Sequence, residues 1–168
     1  MLRLAGALLV AGGMSALGFL AAGGLGRRVR ALRALAVALE LMERELSFRL
    51  TPMPELLEGL ARRAPPPADG LFARCRAGLE RLGETSLGEL WREGLAELPL
   101  TGEERALLEG LGEVLGRYDG EGQRAALSEA RTALARALEE AQAERTRLGR
   151  VYRVTGTAAG AALAVLLL

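Results

Sequence analysis

The chain has 168 residues, half of them hydrophobic and only 4 % aromatic, with a formal net charge of +1. That length supports one domain with a modest core. Few aromatics and sparse β-branched residues supply a sheet poorly, and the near-zero charge gives no field to draw in nucleic acid. There is no His and one Cys. This excludes His-based triads, His-ligated zinc or haem, the Glu-x-x-His di-iron site, an intramolecular disulfide and a Cys-cluster metal site. Lys, Asn and Ile, whose codons are AT-rich, are also missing. Arg therefore carries all the basic charge for reasons of base composition, and its use alone says little about phosphate recognition.

Residues 4–26, LAGALLVAGGMSALGFLAAGGLG, hold no charge. As a helix they run about 34 Å, against a bilayer core of about 30 Å. A cleaved signal peptide would want a basic start and a shorter apolar core. Only Arg3 precedes the run, so residues 1–26 read as an uncleaved membrane helix. Arg27, Arg28, Arg30 and Arg33 follow it directly, which places the following chain in the cytosol.

From 27 to 50, Leu32, Leu35, Leu39, Met42 and Leu46 recur at 3-4-3-4 spacing, one apolar stripe on a helix continuing from the span. In SFRLTPMPELLEGL, residues 47–60, Thr51 is the expected N-cap and Pro52 the first helical residue, so the prolines start a helix. Met53, Leu56, Leu57 and Leu60 form its apolar face. The APPPADG stretch at 64–70 separates it from a helix at 71–82, where Leu71, Phe72, Cys75, Leu79 and Leu82 share a face. Cys75 thus reads as a buried, inert thiol. Ser86 with Glu89, and Thr101 with Glu104, fit capping boxes that open two further helices. The first has Leu87, Leu90, Trp91, Leu95 and Leu98 inward. The second has Leu107, Leu108, Leu111, Val114, Leu115 and Tyr118 inward. DGEG, 119–122, reads as a turn. The last cytosolic helix, 123–150, carries Leu127, Ala130, Leu134, Ala137, Ala141 and Leu148 on one face.

The C-terminal VYRVTGTAAGAALAVLLL, 151–168, follows Arg145, Arg147 and Arg150. Its uncharged part, Val154 to Leu168, gives about 22 Å of helix, short for a span. It reads as a second, short membrane helix, with a buried core helix as the alternative. Gly156 and Gly160 form a GxxxG pair, which admits helix association and a homo-oligomer. The expected fold is all-α: an antiparallel six-helix cytosolic bundle, 27–150, flanked by N- and C-terminal membrane helices.

No catalytic constellation emerges. The pairs Glu103/Glu104, Glu109/Glu113 and Glu139/Glu140 sit at helix starts or among Arg residues and read as solvated. GLGEVLG, 110–116, lacks the strand before it and the Lys-Ser/Thr after it that a phosphate loop needs. It reads as a site of close helix packing. The expectation is a non-enzyme with no cofactor, no metal and no nucleic-acid partner.

RRVRALRALAVALELMERELSFRLTPMPELLEGLA, LGRYDGEGQRAAL at 115–127 and the hydrophobic ends together resemble the stage III sporulation protein AB family. The most specific matches are Thr51, Pro52, Leu56 and Leu57 at the corner, and Leu115, Gly116, Asp119 and Gln123 at the later turn. The resemblance implies a structural platform, akin to the inner-membrane platform protein of type II secretion and type IV pili. It implies a place in the mother cell–forespore channel, in the outer forespore membrane, with the bundle on the mother-cell side. Its implied partners are the membrane, a secretion-type sporulation ATPase and other channel proteins. No catalytic residue carries over, and Thr51, Pro52, Leu56, Gly116, Asp119 and Gln123 carry over as structural motif positions. The rival readings are a membrane-tethered signalling or adaptor bundle, a hydrolase or transferase built from carboxylates and Arg, and a secreted bundle.

Overall fold

A computed structural model describes the backbone of residues 2–49, 51–81, 85–115 and 120–167, and the side chains of 23–47, 51–80, 85–115, 121–149, 151, 154, 155 and 158. The described backbone is helical throughout its regular parts. The elements are α1 (Leu2–Arg44), α2 (Met53–Arg63), α3 (Ala68–Gly78), α4 (Leu87–Ala96), α5 (Gly102–Val114) and α6 (Gly120–Leu167). A π-helical turn, Glu45–Arg49, ends α1, and a 3₁₀ turn, Leu79–Arg81, ends α3. The backbone groups into two compact units, Arg28–Glu139 and Met1–Arg27 with Glu140–Leu168.

The Arg28–Glu139 unit is the bundle. Its core is the convergence of the apolar stripes that helical periodicity predicts. Leu32, Leu35, Leu39 and Met42 of α1 are completely buried, as are Leu57 and Leu60 of α2 and Leu127 of α6. α2 packs on α3, α3 on α4 and α4 on α5, each pair joined by a short connection. At the centre lies Trp91 of α4, fully buried. Its indole N–H donates to the Leu108 carbonyl of α5 at 2.8 Å, and its ring meets Phe72 of α3 edge-on, centroids 5.9 Å apart. One aromatic thus binds three helices together, with the indole dipole satisfied.

Close approach is made by glycine. A Cβ on Gly112 of α5 would stand 2.6 Å from Trp91 Cδ1 and 2.7 Å from its Cβ. Gly110, two residues earlier on the same helix, has open space where its Cβ would be. Gly112→Ala should therefore destabilise the bundle by about 1–3 kcal/mol through overpacking. Gly110→Ala should stabilise it by up to about 1 kcal/mol, as Ala is the better helix former. Urea unfolding followed by the fluorescence of Trp91, the single tryptophan, measures both. Equal shifts would mean that the indole yields to the added methyl.

Both capping boxes form. The Ser86 hydroxyl accepts from the Glu89 N–H at 3.2 Å, and the Glu89 carboxylate accepts from the Ser86 N–H at 2.7 Å. Those hydrogen bonds hold the Glu89 carboxyl below its ordinary value. A carboxyl lowered by folding stabilises above its unfolded pKa, and the benefit is lost as pH falls through the folded value. Thr101 and Glu104 make the same reciprocal pair at 3.2 and 2.8 Å.

Several expectations need correction. Thr51 is not the N-cap of α2. Pro52 holds that position, extended at φ −56° and ψ 146°, without a side-chain cap. Its carbonyl takes the first helical bond, from the Leu56 N–H at 2.9 Å, while the Thr51 hydroxyl turns to a buried carboxylate instead. α3 begins at Ala68, not at 71. Pro65 closes a turn onto the Ala68 N–H at 3.0 Å, and Asp69 sits in the first turn, where a carboxylate suits the helix dipole. The bond between Pro66 and Pro67 is cis. Gly120–Gly122 belong to α6, so the DGEG stretch is no free turn. Leu107 is 49 % exposed, because Glu104 and Gly112 take the inward positions beside Leu108 and Leu111.

α6 runs unbroken into the C-terminal segment. Among the described residues no helix is long and apolar enough to cross a membrane. The side chains of 2–22 and most of those of 152–167 are not among them. The expected spans 1–26 and 151–168 therefore lie largely outside the described residues.

Candidate functional site

The corner between α1 and α2 is where the sequence places its most specific motif. Glu45, first residue of the π-helical turn, is 8 % exposed. Its Oε1 lies 2.9 Å from Arg63 Nη2 at the end of α2, and its Oε2 accepts from the Thr51 hydroxyl at 3.1 Å. One buried carboxylate thus ties the end of α1, the connection and the end of α2. A cavity of about 470 Å³ opens beside it, lined by Glu45, Thr51, Glu55, Glu58 and Arg62 among others. Four of its five charged residues pair within the wall: Arg62 bonds Glu58 at 2.8 Å, and Arg63 bonds Glu45.

Thr51 is half-buried at this corner, Pro52 is exposed, and Leu56 is buried beneath it. Gln123 is half-buried in the first turns of α6 and does not line the corner cavity. Gly116 and Asp119 lie outside the described residues. The structure thus groups Thr51, Pro52 and Leu56 about one turn, with Gln123 on another element.

Two carboxylates are placed where the sequence reading does not put them. Glu104 is not solvated but 4 % exposed. Its Oε2 caps α5, while its Oε1 takes Arg28 of α1 through Nε at 2.9 Å and Nη2 at 2.8 Å. Arg28 is therefore a structural residue as well as a flank to the first apolar run. Glu45 is the second, a residue to which the sequence reading gives no role. The signal existed for both: Glu45 stands three residues after Met42, and Glu104 four before Leu108, each on the edge of an apolar stripe.

Other groups offer little chemistry. Burial pushes the Cys75 thiol up to about 12. Native protein at mildly alkaline pH should leave it unlabelled by a disulfide reagent, and urea should release one thiol per chain. Labelling at the native rate of a free thiol would show that α3 opens. Among the described residues no group of three His, Cys, Asp or Glu is placed to hold a metal. On the surface, Arg74 pairs with Glu97, Arg131 of α6 pairs with Glu43 of α1, and Arg92 pairs with Glu113 at 2.6 Å. Those carboxylates raise the Arg74 and Arg92 guanidinium values, chiefly by hydrogen bonding. A groove of about 580 Å³ between α1 and α6 is lined by Ala36, Val37, Ala135, Arg33, Arg136 and Glu139 among others.

The described geometry defines a helical scaffold: a packed bundle whose buried carboxylates join helices. The sequence profile of the stage III sporulation protein AB family matches residues 3–168. The chain belongs to that family. A solved structure of a stage III sporulation protein AB is similar to it, with a TM-score of 0.63 at 26 % identity, over 72 % of this chain and 98 % of that one. Comparison with the curated proteins gives no match.

Proposed function

We propose that this sporulation protein is a membrane-anchored structural platform of the secretion-like channel that joins mother cell and forespore during endospore formation. A membrane helix at each end, 1–26 and 151–168, holds the bundle in the mother-cell cytosol against the outer forespore membrane. There the bundle meets a secretion-type ATPase and other channel proteins. It works as a scaffold and not as an enzyme. The observation that carries this reading is the family match over residues 3–168, which takes in both apolar ends as well as the bundle. The bundle's make-up supports it: Glu104 and Glu45 are spent on joining helices, and the one thiol is buried.

The test is co-purification of the full chain, in detergent, with the secretion-type sporulation ATPase of the same genome. Capture in a fixed ratio at low and raised salt is the expected result. A folded, helical protein that never captures the ATPase would overturn the motor contact and favour a membrane-tethered adaptor.

A further inference from the structure

At the surface of the bundle, Arg44, Arg62, Arg74, Arg92 and Arg131 each pair with a glutamate, while Arg124 and Arg136, exposed on α6, have no carboxylate partner among the described residues. Arg27, Arg30 and Arg33 of α1, and Arg145 and Arg147 of α6, are exposed and have no carboxylate partner among the described residues. The two tracts differ from Arg124 and Arg136 in having no acid within them. No Asp or Glu stands between residues 27 and 39, and none between 145 and 168. The first acid-free tract borders one uncharged stretch, and the second contains the other.

The Arg27 side chain has a direction as well. Its Nη1 lies 3.7 Å from where a Cβ on Gly23 would be, and its Nη2 3.9 Å from that of Gly24. The side chain folds back one turn along α1, toward the apolar run, as helical side chains do. That is the geometry of a long basic side chain whose stem lies on apolar surface and whose head reaches a polar boundary.

We infer that the two arginine tracts, 27–33 on α1 and 145–147 on α6, bind the headgroup phosphates of anionic phospholipids. The inference rests on the reading of both chain ends as membrane helices. A guanidinium offers phosphate oxygens a planar, bidentate fork of donors. A negatively charged leaflet attracts basic residues within a Debye length of its surface. The unpaired charge is thus placed where phosphate is concentrated, while Arg28, in the same tract, is withdrawn to Glu104. The competing view is that the tracts only direct insertion and are solvated afterwards.

The experiment reconstitutes the full chain in phosphatidylcholine bilayers containing a minority of phosphatidylglycerol. Spin-labelled lipids report which headgroup is enriched beside the protein. One variant carries Arg27→Gln, Arg30→Gln and Arg33→Gln, and a second carries Arg145→Gln and Arg147→Gln. The wild type should enrich phosphatidylglycerol about fivefold, the attraction expected of one basic residue at an anionic surface. Each variant should lower that enrichment, and raised salt should weaken it. Equal enrichment in all three proteins, in chains that resist alkaline carbonate extraction, overturns the lipid site and leaves the spans standing. Release of the chain by carbonate overturns the spanning reading, and the lipid site with it. Displacement by inorganic phosphate at matched ionic strength overturns the lipid as ligand.

Discussion

Trp91→Ala should lower the stability of the bundle by about 3–5 kcal/mol, measured as a shift of the urea midpoint by circular dichroism. The ring is fully buried and touches Phe72, Gly112 and the Leu108 carbonyl. Removing it empties a space bounded by three helices, and none of them can close it without losing contacts of its own. A domain holds about 5–15 kcal/mol in all, so this one change takes a large share. Trp91→Phe should cost less, about 1–2 kcal/mol, since most of the volume stays and the indole donor goes. Val37→Ala, at an exposed position, is the control and should fall within about 0.5 kcal/mol of wild type. A small loss for Trp91→Ala would mean that α3, α4 and α5 repack around the gap.

Arg28→Met should cost about 3 kcal/mol, because it leaves the Glu104 carboxylate buried with only its cap. Glu104→Gln should cost less. Gln can still close the capping box, and Arg28, one fifth exposed, can turn to water. The double variant Arg28→Met with Glu104→Gln is the decisive one. It removes both charges while keeping the cap, so it should recover much of the loss from Arg28→Met alone. Additive losses in the double-mutant cycle would mean that the two side chains do not interact in solution.

Local signals were legible in the sequence; tertiary ones were less so. The two capping boxes depend on residues three apart, so Ser86/Glu89 and Thr101/Glu104 could be read directly. The stripe from Leu32 to Met42 and the inward run of α6 from Leu127 to Ala137 follow from helical period alone. Thr51 fails as a cap because its hydroxyl has two acceptable uses, and only the fold brings Glu45 within reach. Glu104 looks solvated because its cap is local, while its burial depends on α1 arriving over it. Leu107 departs from the inward position expected of it for a related reason: which flank of the α5 stripe faces inward depends on where Trp91 sits, and Gly112, in the stretch expected to pack closely, takes that flank. Of the motif positions, the corner residues can be placed and Gln123 with them, while Gly116 and Asp119 fall outside the described residues.

The π-helical turn at Glu45–Arg49 has a consequence for length rather than for composition. A turn of this kind holds one residue more than an α-helical turn, and one residue is about 100° of rotation about the axis. The corner is therefore keyed by phase. Substitutions along 45–49 change what a side chain offers, but deleting a single residue there would rotate everything that follows by more than a quarter of a circle. Glu45 could then no longer reach Thr51 and Arg63 together, whatever amino acids remained.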